Sequence, residues 1–398
     1  MSGALEGVKV LDLTRVLSGP HCCMILGDLG ADVIKIEKPD GGDVTRSNFP
    51  RYKGESTYFL SHNRNKRSVT LDFRKPGAKE IFLRMAKDAD VVVENFRAGT
   101  MEKMGLGYDV LKTVNPGIIL TRISGFGQTG PYSDRACLDG VAQAMSGIMD
   151  NTGYPDQPPV MVGVYAIDYS AALYGVIGTL AALQTRARTG CGQVVDVALM
   201  DAAMSFLHTA VPDYKLLNKL FTRNGNEDRY LWPANFYLSK DGDQIYINAG
   251  IDGNFATLMK VMGRAELAAD ERYKRNESRA VPENRKFLDD LVKSWVAERS
   301  TEEVVKLVAG GGIPCAKVRN VAETLDDPQV KHRNMVQSVE HTGVGEIFLS
   351  GPVVHMSQSQ LEIKLPPPAL GEHNDEIYKG VLGLTDDEYE ELRKTKTI

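Results

Sequence analysis

The sequence has few cysteines, no paired metal-ligand spacing and no apolar run long enough to cross a bilayer. Its 398 residues include five Cys and seven His. No two Cys stand as CxxC, Cys22 and Cys23 are neighbours that cannot easily share one metal, and the His show no HxxxH spacing. These absences exclude a disulfide framework and a zinc site and fit a reducing compartment. The longest uncharged, largely apolar run, Tyr169 to Leu183, is shorter than the ~20 residues a membrane span needs. It reads as a buried core helix. The first residues, MSGALEGVKVLDLTRV, have neither a basic leader nor a small-residue cleavage site. The expected location is the cytoplasm, without a membrane partner. Lys and Arg number 47 against 52 Asp and Glu, a net charge of −5, which disfavours general nucleic-acid binding. At 42% hydrophobic and 25% charged residues the chain is not broadly disordered, and its length suits two folding units.

What is present is an alternation of strands and helices. Val8 to Leu13 reads as a strand and Thr14 to Gly19 as a loop. Pro20 suits the first position of a helix that runs to Leu29 and stops at Gly30. Ala31 to Glu37 reads as a second strand, which completes a βαβ unit with parallel strands. Ser68 to Asp72, Val91 to Glu94, Ile118 to Ile123 and Gln193 to Ala198 read as further strands. Gly77 to Lys87, Tyr165 to Thr185 and Met200 to Ala210 read as helices. The fold expected for this part is α/β, an open Rossmann-like parallel sheet whose ligands bind at the carboxyl ends of the strands. The character changes near residue 222. A hairpin with an Asp241-Gly242 turn joins Phe236–Leu238 to Ile245–Ile247. Helical patterns follow at 255–261, 283–296 and 301–309. Residues 1–222 are therefore assigned to a large α/β domain and 223–320 to a smaller α+β domain. Residues 321–398 form a return segment and tail that completes the large domain, with an extended Pro366-Pro367-Pro368 linker and a final helix near Asp386 to Arg393.

Four features could carry chemistry. The first βαβ unit ends in Glu37, yet its loop has one glycine where a dinucleotide fingerprint needs three; Glu37 is expected to be a strand-end surface carboxylate. Arg64, Lys66 and Arg67 fall within four positions, and Arg74, Lys75, Arg97 and Lys103 follow later strands. These cations either gather on a polyphosphate, which Arg binds bidentately, or coat a solvated surface. Asp168 stands among small and apolar residues just before a long helix. It either caps that helix, typically for ~1 kcal/mol, or serves as a nucleophile kept ionised by helix N-terminal amides. The run Ser124-Gly125-Phe126-Gly127-Gln128-Thr129-Gly130-Pro131 is either a turn or a flexible wall of an acyl channel.

Several segments together resemble the class III CoA-transferase family, of the formyl-CoA transferase and carnitine CoA-transferase type. They are Thr14 to Pro20, Leu29 to Glu37, Gly42-Asp43, Asn65 to Ser68, Val93 to Gly99, Ile123 to Gly127 and Gly371-Glu372-His373. Their order and spacing, over nearly the whole chain, carry the resemblance. It implies a two-domain fold in an interlocked homodimer and transfer of CoA from an acyl-CoA donor to a carboxylic acid. It puts Asp168 in the nucleophile's place. CoA contacts fall on Val16, Lys38, Leu71, Arg74, Asn95, Phe96, Arg97, Lys103 and Met104. At Lys38 and Arg74 one basic type stands where the family has the other. Arg15, Tyr58 and Tyr165 are the residues expected to meet the acid; as alternatives, both tyrosines simply pack and Arg15 pairs with an acidic neighbour. No permanently bound cofactor and no metal is expected, since acyl-CoA enters as substrate.

Two departures narrow the expectation. The run of consecutive glycines that formyl-CoA transferase carries in its small domain has no counterpart in Asn248 to Gly253, which disfavours oxalate or formate. Racemases of the same fold need a His that would fall in Ala136 to Asp139, where Leu138 stands. The expected function is transfer from succinyl-CoA to a short dicarboxylic or hydroxy-dicarboxylic acid through a covalent aspartyl intermediate. The alternatives are an alpha-methylacyl-CoA racemase and a non-catalytic CoA-binding protein.

Overall fold

The computed structural model describes residues 3–359 and 361–398. The contacts divide the chain into two units. One comprises residues 1–149, 161–218 and 328–398, the other 150–160 and 219–327.

The larger unit is built on six parallel strands: β1 (Lys9–Asp12), β2 (Asp32–Glu37), β3 (Lys66–Thr70), β4 (Val91–Glu94), β5 (Ile119–Ser124) and β6 (Val194–Ala198). Their spatial order is β3-β2-β1-β4-β5-β6. The order reverses between β1 and β4, so the loops leaving these two strands diverge and open a crevice at their carboxyl ends. Val91, Val92 and Val93 are fully buried, as strands covered on both faces require. One face is covered by α1 (Ser18–Asp28) and α4 (Ala166–Thr189), and the other by α2 (Ala78–Lys87) with the C-terminal residues Ile377, Tyr378 and Tyr389. Between them in sequence lies α3 (Asp139–Ser146).

Three local expectations shift. Pro20 is the third residue of α1, because the helix starts at Ser18; a missing N–H is tolerated there because first-turn amides lack intrahelical partners. Strand β3 begins at Lys66, two residues early, and pairs Lys66 with Val33. Its charges hid it: Lys66 donates to Asp12 Oδ2 at 2.9 Å with both side chains sealed from solvent. The helix expected over 200–210 breaks into Leu199–Met204, a tight turn at Ser205–Leu207 and Ala210–Leu217. Ser205 Oγ donates to the Ala202 carbonyl at 2.7 Å, a back-bond that perturbs helices. Helix α4 outruns its expected end and reaches Thr189. At 24 residues it is long and apolar enough to cross a membrane, but it packs against α1, β5 and β6.

The smaller unit holds a hairpin, Ala234–Leu238 paired with Gln244–Asn248, and a third strand, Cys315–Lys317. Helices Asp252–Val261, Pro282–Ala297 and Thr301–Gly310 pack Phe255, Leu288, Val292 and Val304 into its core. Arg279 is fully buried and donates to the carbonyls of Trp232, Tyr273 and Gly250. The Asn248 to Gly253 segment is thus pinned from within. A glycine triplet does occur at Gly310, Gly311 and Gly312, where it ends a helix, with Gly312 at φ 81°.

Candidate active site

The crevice between β1 and β4 is closed by a reciprocal pair of hydrogen bonds. Arg15 N–H donates to Asn95 Oδ1 at 2.8 Å, and Asn95 Nδ2 donates to the Arg15 carbonyl at 2.6 Å. The approach is tight enough that a Cβ on Gly19 would lie 2.4 Å from Thr14 Cβ and 3.0 Å from Asn95 Cγ. Val16, a β-branched residue, is held at φ 70°, a strained conformation of the kind that clusters at functional sites.

Beneath this loop lies a buried ionic layer. Lys35 Nζ donates to the Thr14 carbonyl at 2.9 Å and lies 3.2 Å from Asp43. Burial opposes its charge, but Asp12, Asp43 and Glu37 outweigh burial and raise its pKa. Burial also opposes ionisation of Asp12, and Lys66 with Lys35 overcomes it. Glu37 is a member of this layer rather than the surface carboxylate expected: it is 5% exposed, accepts two bonds from Arg46 at 2.8 Å and one from Ser68 at 2.7 Å. Arg64 is likewise buried on Asp28, and Arg67 is paired with Asp32 and Glu376. Arg64 and Lys66 neutralise buried carboxylates and the half-buried Arg67 is held by two partly exposed ones, so neither the phosphate reading nor the solvated-surface reading of the 64–67 cluster holds.

Two clefts lie above the layer. One, of about 200 Å³, is lined by Lys38, Leu71, Phe96 and Met104, together with Arg15 and Phe73. The other, of about 450 Å³, is lined by Asn95, Phe96, Arg97, Gly125, Arg135 and Cys137. Phe96 forms a wall of both, and Arg15 stacks on it at 4.9 Å. Among the described residues Arg15 has no ion pair, so it does not pair with an acidic neighbour. Arg74 is exposed and closes on Asp72 at 2.8 Å beside the first cleft. Lys103 ends a short helix just before Met104, and its side chain is exposed. Neither lines a cleft. Gly125 packs so closely that a Cβ there would lie 2.2 Å from Cys137 Cβ, which makes the glycine-rich run a wall of the second cleft.

Asp168 lies at the third position of α4, buried at 9% exposure. It does not cap the helix. Asp139, at the start of α3, does so from outside: its Oδ2 accepts the Ile167 N–H at 2.8 Å and the Asp168 N–H at 3.1 Å. Those amides are therefore unavailable to the Asp168 carboxylate, whose one hydrogen-bonding aid among the described residues is the Ser18 hydroxyl. Burial first, and the Asp139 charge second, push its pKa up to about 6. Near neutral pH it is an ionised but poorly stabilised carboxylate. Its charge reaches the Cys137 thiol, which burial and Asp168 together push up to about 11. Cys137 in turn lines the second cleft.

The neighbouring residue Tyr169 lines a separate cavity of about 690 Å³, together with His21, Tyr58, His62 and Tyr165. Burial, then the Asp168 charge, raises the pKa of Tyr58 and of Tyr169. The Tyr58 and Tyr165 rings meet edge to face at 6.3 Å. The structure thus groups Tyr58 and Tyr165 at one cavity and sets Arg15 apart, in the first cleft with Lys38. Asp139, Ser18 and His21 escaped the sequence reading. Asp139 stands 29 positions before Asp168, and no local pattern links the two; the spare Asp in Ala136 to Asp139 was the one available signal.

Residues 5–374 match the family described as CoA-transferase family III. The chain is similar to a Chloroflexus aurantiacus protein named succinyl-CoA–D-citramalate CoA-transferase, with 37% identity over 99% of this chain and 98% of that one. It is 39% identical to human succinyl-CoA:glutarate CoA-transferase, over 96% and 87% of the two chains. The crystal structure of a CAIB/BAIF family protein from Brucella suis matches with a TM-score of 0.83 and 38% identity, over 96% of this chain and all of that one.

Proposed function

The chain belongs to CoA-transferase family III and is a CoA-transferase, and from that premise we propose that it moves CoA from succinyl-CoA to a short dicarboxylic acid through covalent chemistry at Asp168. The observation that carries this is a buried carboxylate raised to about 6 whose charge acts on Cys137 in the second cleft and on Tyr58 and Tyr169 in the large cavity. The named relatives act from succinyl-CoA on citramalate and glutarate, which supports the donor and the acid class.

The steps follow from the placement. An Asp168 oxygen attacks the donor thioester carbonyl and the C–S bond breaks, giving an aspartyl–acyl anhydride and CoA thiolate. The thiolate attacks the aspartyl carbonyl, forming an enzyme–CoA thioester and releasing succinate. The acceptor carboxylate attacks that thioester and expels thiolate again. The thiolate then attacks the acceptor carbonyl of the new anhydride, which yields acyl-CoA and regenerates the Asp168 carboxylate. Each step exchanges one acyl bond for another, so the thioester's energy is conserved. Burial of Asp168 keeps water from the anhydride.

The nucleotide end is assigned to the first cleft, with Lys38 for phosphate and Leu71, Phe96 and Met104 for the base. Arg74 and Lys103 supply charge at its margins, Arg97 supplies it in the second cleft, and Val16 and Asn95 shape the loop. Binding so far from the reacting carbonyl positions it for attack. Tyr58 and Tyr165 face the acid. A homodimer is part of this proposal: Leu173, Ile177 and Leu180 leave an exposed apolar stripe along α4, and large exposed patches mark interfaces. Mixing enzyme with succinyl-CoA alone and trapping a CoA adduct on the Asp168 peptide by mass spectrometry tests the intermediate. Absence of the adduct, with turnover intact, overturns it.

A further inference from the structure

The cavity lined by Tyr169 contains polar atoms that the steps above do not use. His62 Nδ1 lies 2.9 Å from the Tyr58 carbonyl oxygen, and its Nε2 lies 3.1 Å from the Tyr169 hydroxyl. A carbonyl oxygen only accepts, so Nδ1 carries a hydrogen. Burial lowers the His62 pKa against the pull of that same bond, so the ring is neutral and has no second hydrogen. Nε2 is then a lone pair, and Tyr169 must donate to it. The Tyr169 proton is committed inside the wall, and its oxygen offers the cavity lone pairs.

His21 is the complement. Its Nδ1 is buried without a partner among the described residues. Its ring packs edge-on against Tyr169 at 4.9 Å. Burial first, then His62 and nearby cations, hold its pKa down to about 3, so this ring is also neutral. With Nδ1 sealed, the tautomer protonated at Nε2 gives the cavity a donor. A donor beside an acceptor matches a hydroxyl, which accepts one hydrogen bond and gives another. A methylene leaves both protein atoms unpaired, and unpaired buried polar atoms are what give such sites their selectivity.

We propose that this cavity selects a hydroxy-substituted acid. The His21 Nε2–H donates to the substrate hydroxyl, the Tyr169 oxygen accepts its hydrogen, and His62 is the positioning residue that fixes the Tyr169 proton. The proposal rests on the transferase reading above and names the acceptor class for that same site.

The test pairs acceptors that differ by one hydroxyl, 3-hydroxyglutarate with glutarate and citramalate with methylsuccinate, using succinyl-CoA as donor. The readout is the ratio of kcat/KM within each pair. The wild-type protein favours the hydroxy acid by about tenfold or more, and Tyr169→Phe brings the ratio to within about twofold of one. His62→Phe lowers the ratio with Tyr169 intact, because the freed phenol turns its proton to the cavity; a packing role for Tyr169 does not predict this. Each ratio is taken within one preparation, so partial misfolding cancels. Equal rates in the wild type, or a ratio unmoved by Tyr169→Phe, overturns the hydroxyl assignment and leaves CoA transfer standing. Transfer to none of the four acids overturns the dicarboxylate reading and the assignment with it.

Discussion

Replacing the proposed nucleophile should make the protein more stable, and the size of the gain can be worked from its surroundings. Asp168 has an ordinary value of 3.8 that burial and Asp139 push up to about 6. A raised carboxyl pKa means that the folded state holds its proton more tightly than the unfolded chain does. The penalty for keeping it ionised is absent below pH 3.8, grows as pH rises, and is complete above about 6. At ~1.4 kcal/mol per pH unit the full penalty is about 3 kcal/mol. Asp168→Asn keeps the shape, removes the charge and still accepts from the Ser18 hydroxyl. It should therefore raise unfolding stability by up to ~3 kcal/mol at pH 8 while abolishing transfer, and the gain should shrink to nothing near pH 4. Urea denaturation of both proteins at pH 4, 6 and 8 measures this. A variant that is less stable at pH 8, or a gain that does not change with pH, refutes the reasoning that the carboxylate is buried without compensation.

Further predictions follow from the same geometry. The pH profile of kcat/KM for succinyl-CoA should fall on the acid side of about pH 6, where Asp168 takes up a proton, and Asp139→Asn should move that limb to lower pH. Lys66→Met leaves Asp12 buried without its partner and should cost about 3–5 kcal/mol in urea unfolding; a loss under 1 kcal/mol contradicts the buried ionic layer. Arg15→Ala should raise KM for acyl-CoA about tenfold and KM for the acceptor much less, because Arg15 lies with Lys38; the reverse pattern would return it to the acid site. Gly125→Ala should lower transfer sharply in a spectrophotometric assay, since the added methyl collides with Cys137 at 2.2 Å.

The strand–helix alternation was readable because apolar strands such as Val91–Glu94 and a glycine stop such as Gly30 are local signals; the stop at Gly190, after Thr189, lies past the end expected for its helix. Lys66 and Arg67 misled because a charge in a sequence looks solvent-seeking until its partner is known, and Asp12 and Asp32 lie 54 and 35 positions away. Glu37 misled for the same reason. Asp168 stood out as a carboxylate among small residues, yet both physical readings of it assumed that its own helix supplied the partners. The partners are Asp139 and Ser18, from two other helices. Four of the residues that the resemblance marks for CoA, Lys38, Leu71, Phe96 and Met104, line one cleft. It could not reveal His21 and His62, whose roles depend on which nitrogen faces which neighbour.

The sheet's outer strand depends on the far end of the chain. His373 N–H donates to the Ser68 carbonyl at 2.9 Å, Ser68 N–H donates to the His373 Nδ1 at 3.2 Å, Thr70 N–H donates to Asn374 Oδ1 at 2.9 Å, and Asp72 N–H donates to the Thr397 carbonyl at 2.8 Å. A ribosome delivering this polypeptide releases β1 to β6 long before residues 373–397 emerge. Until they do, the β3 edge stands open, able to pair with another strand. Synthesis must finish before that edge is covered, so a nascent chain stalled within the last thirty residues would be a sticky intermediate rather than a slower enzyme.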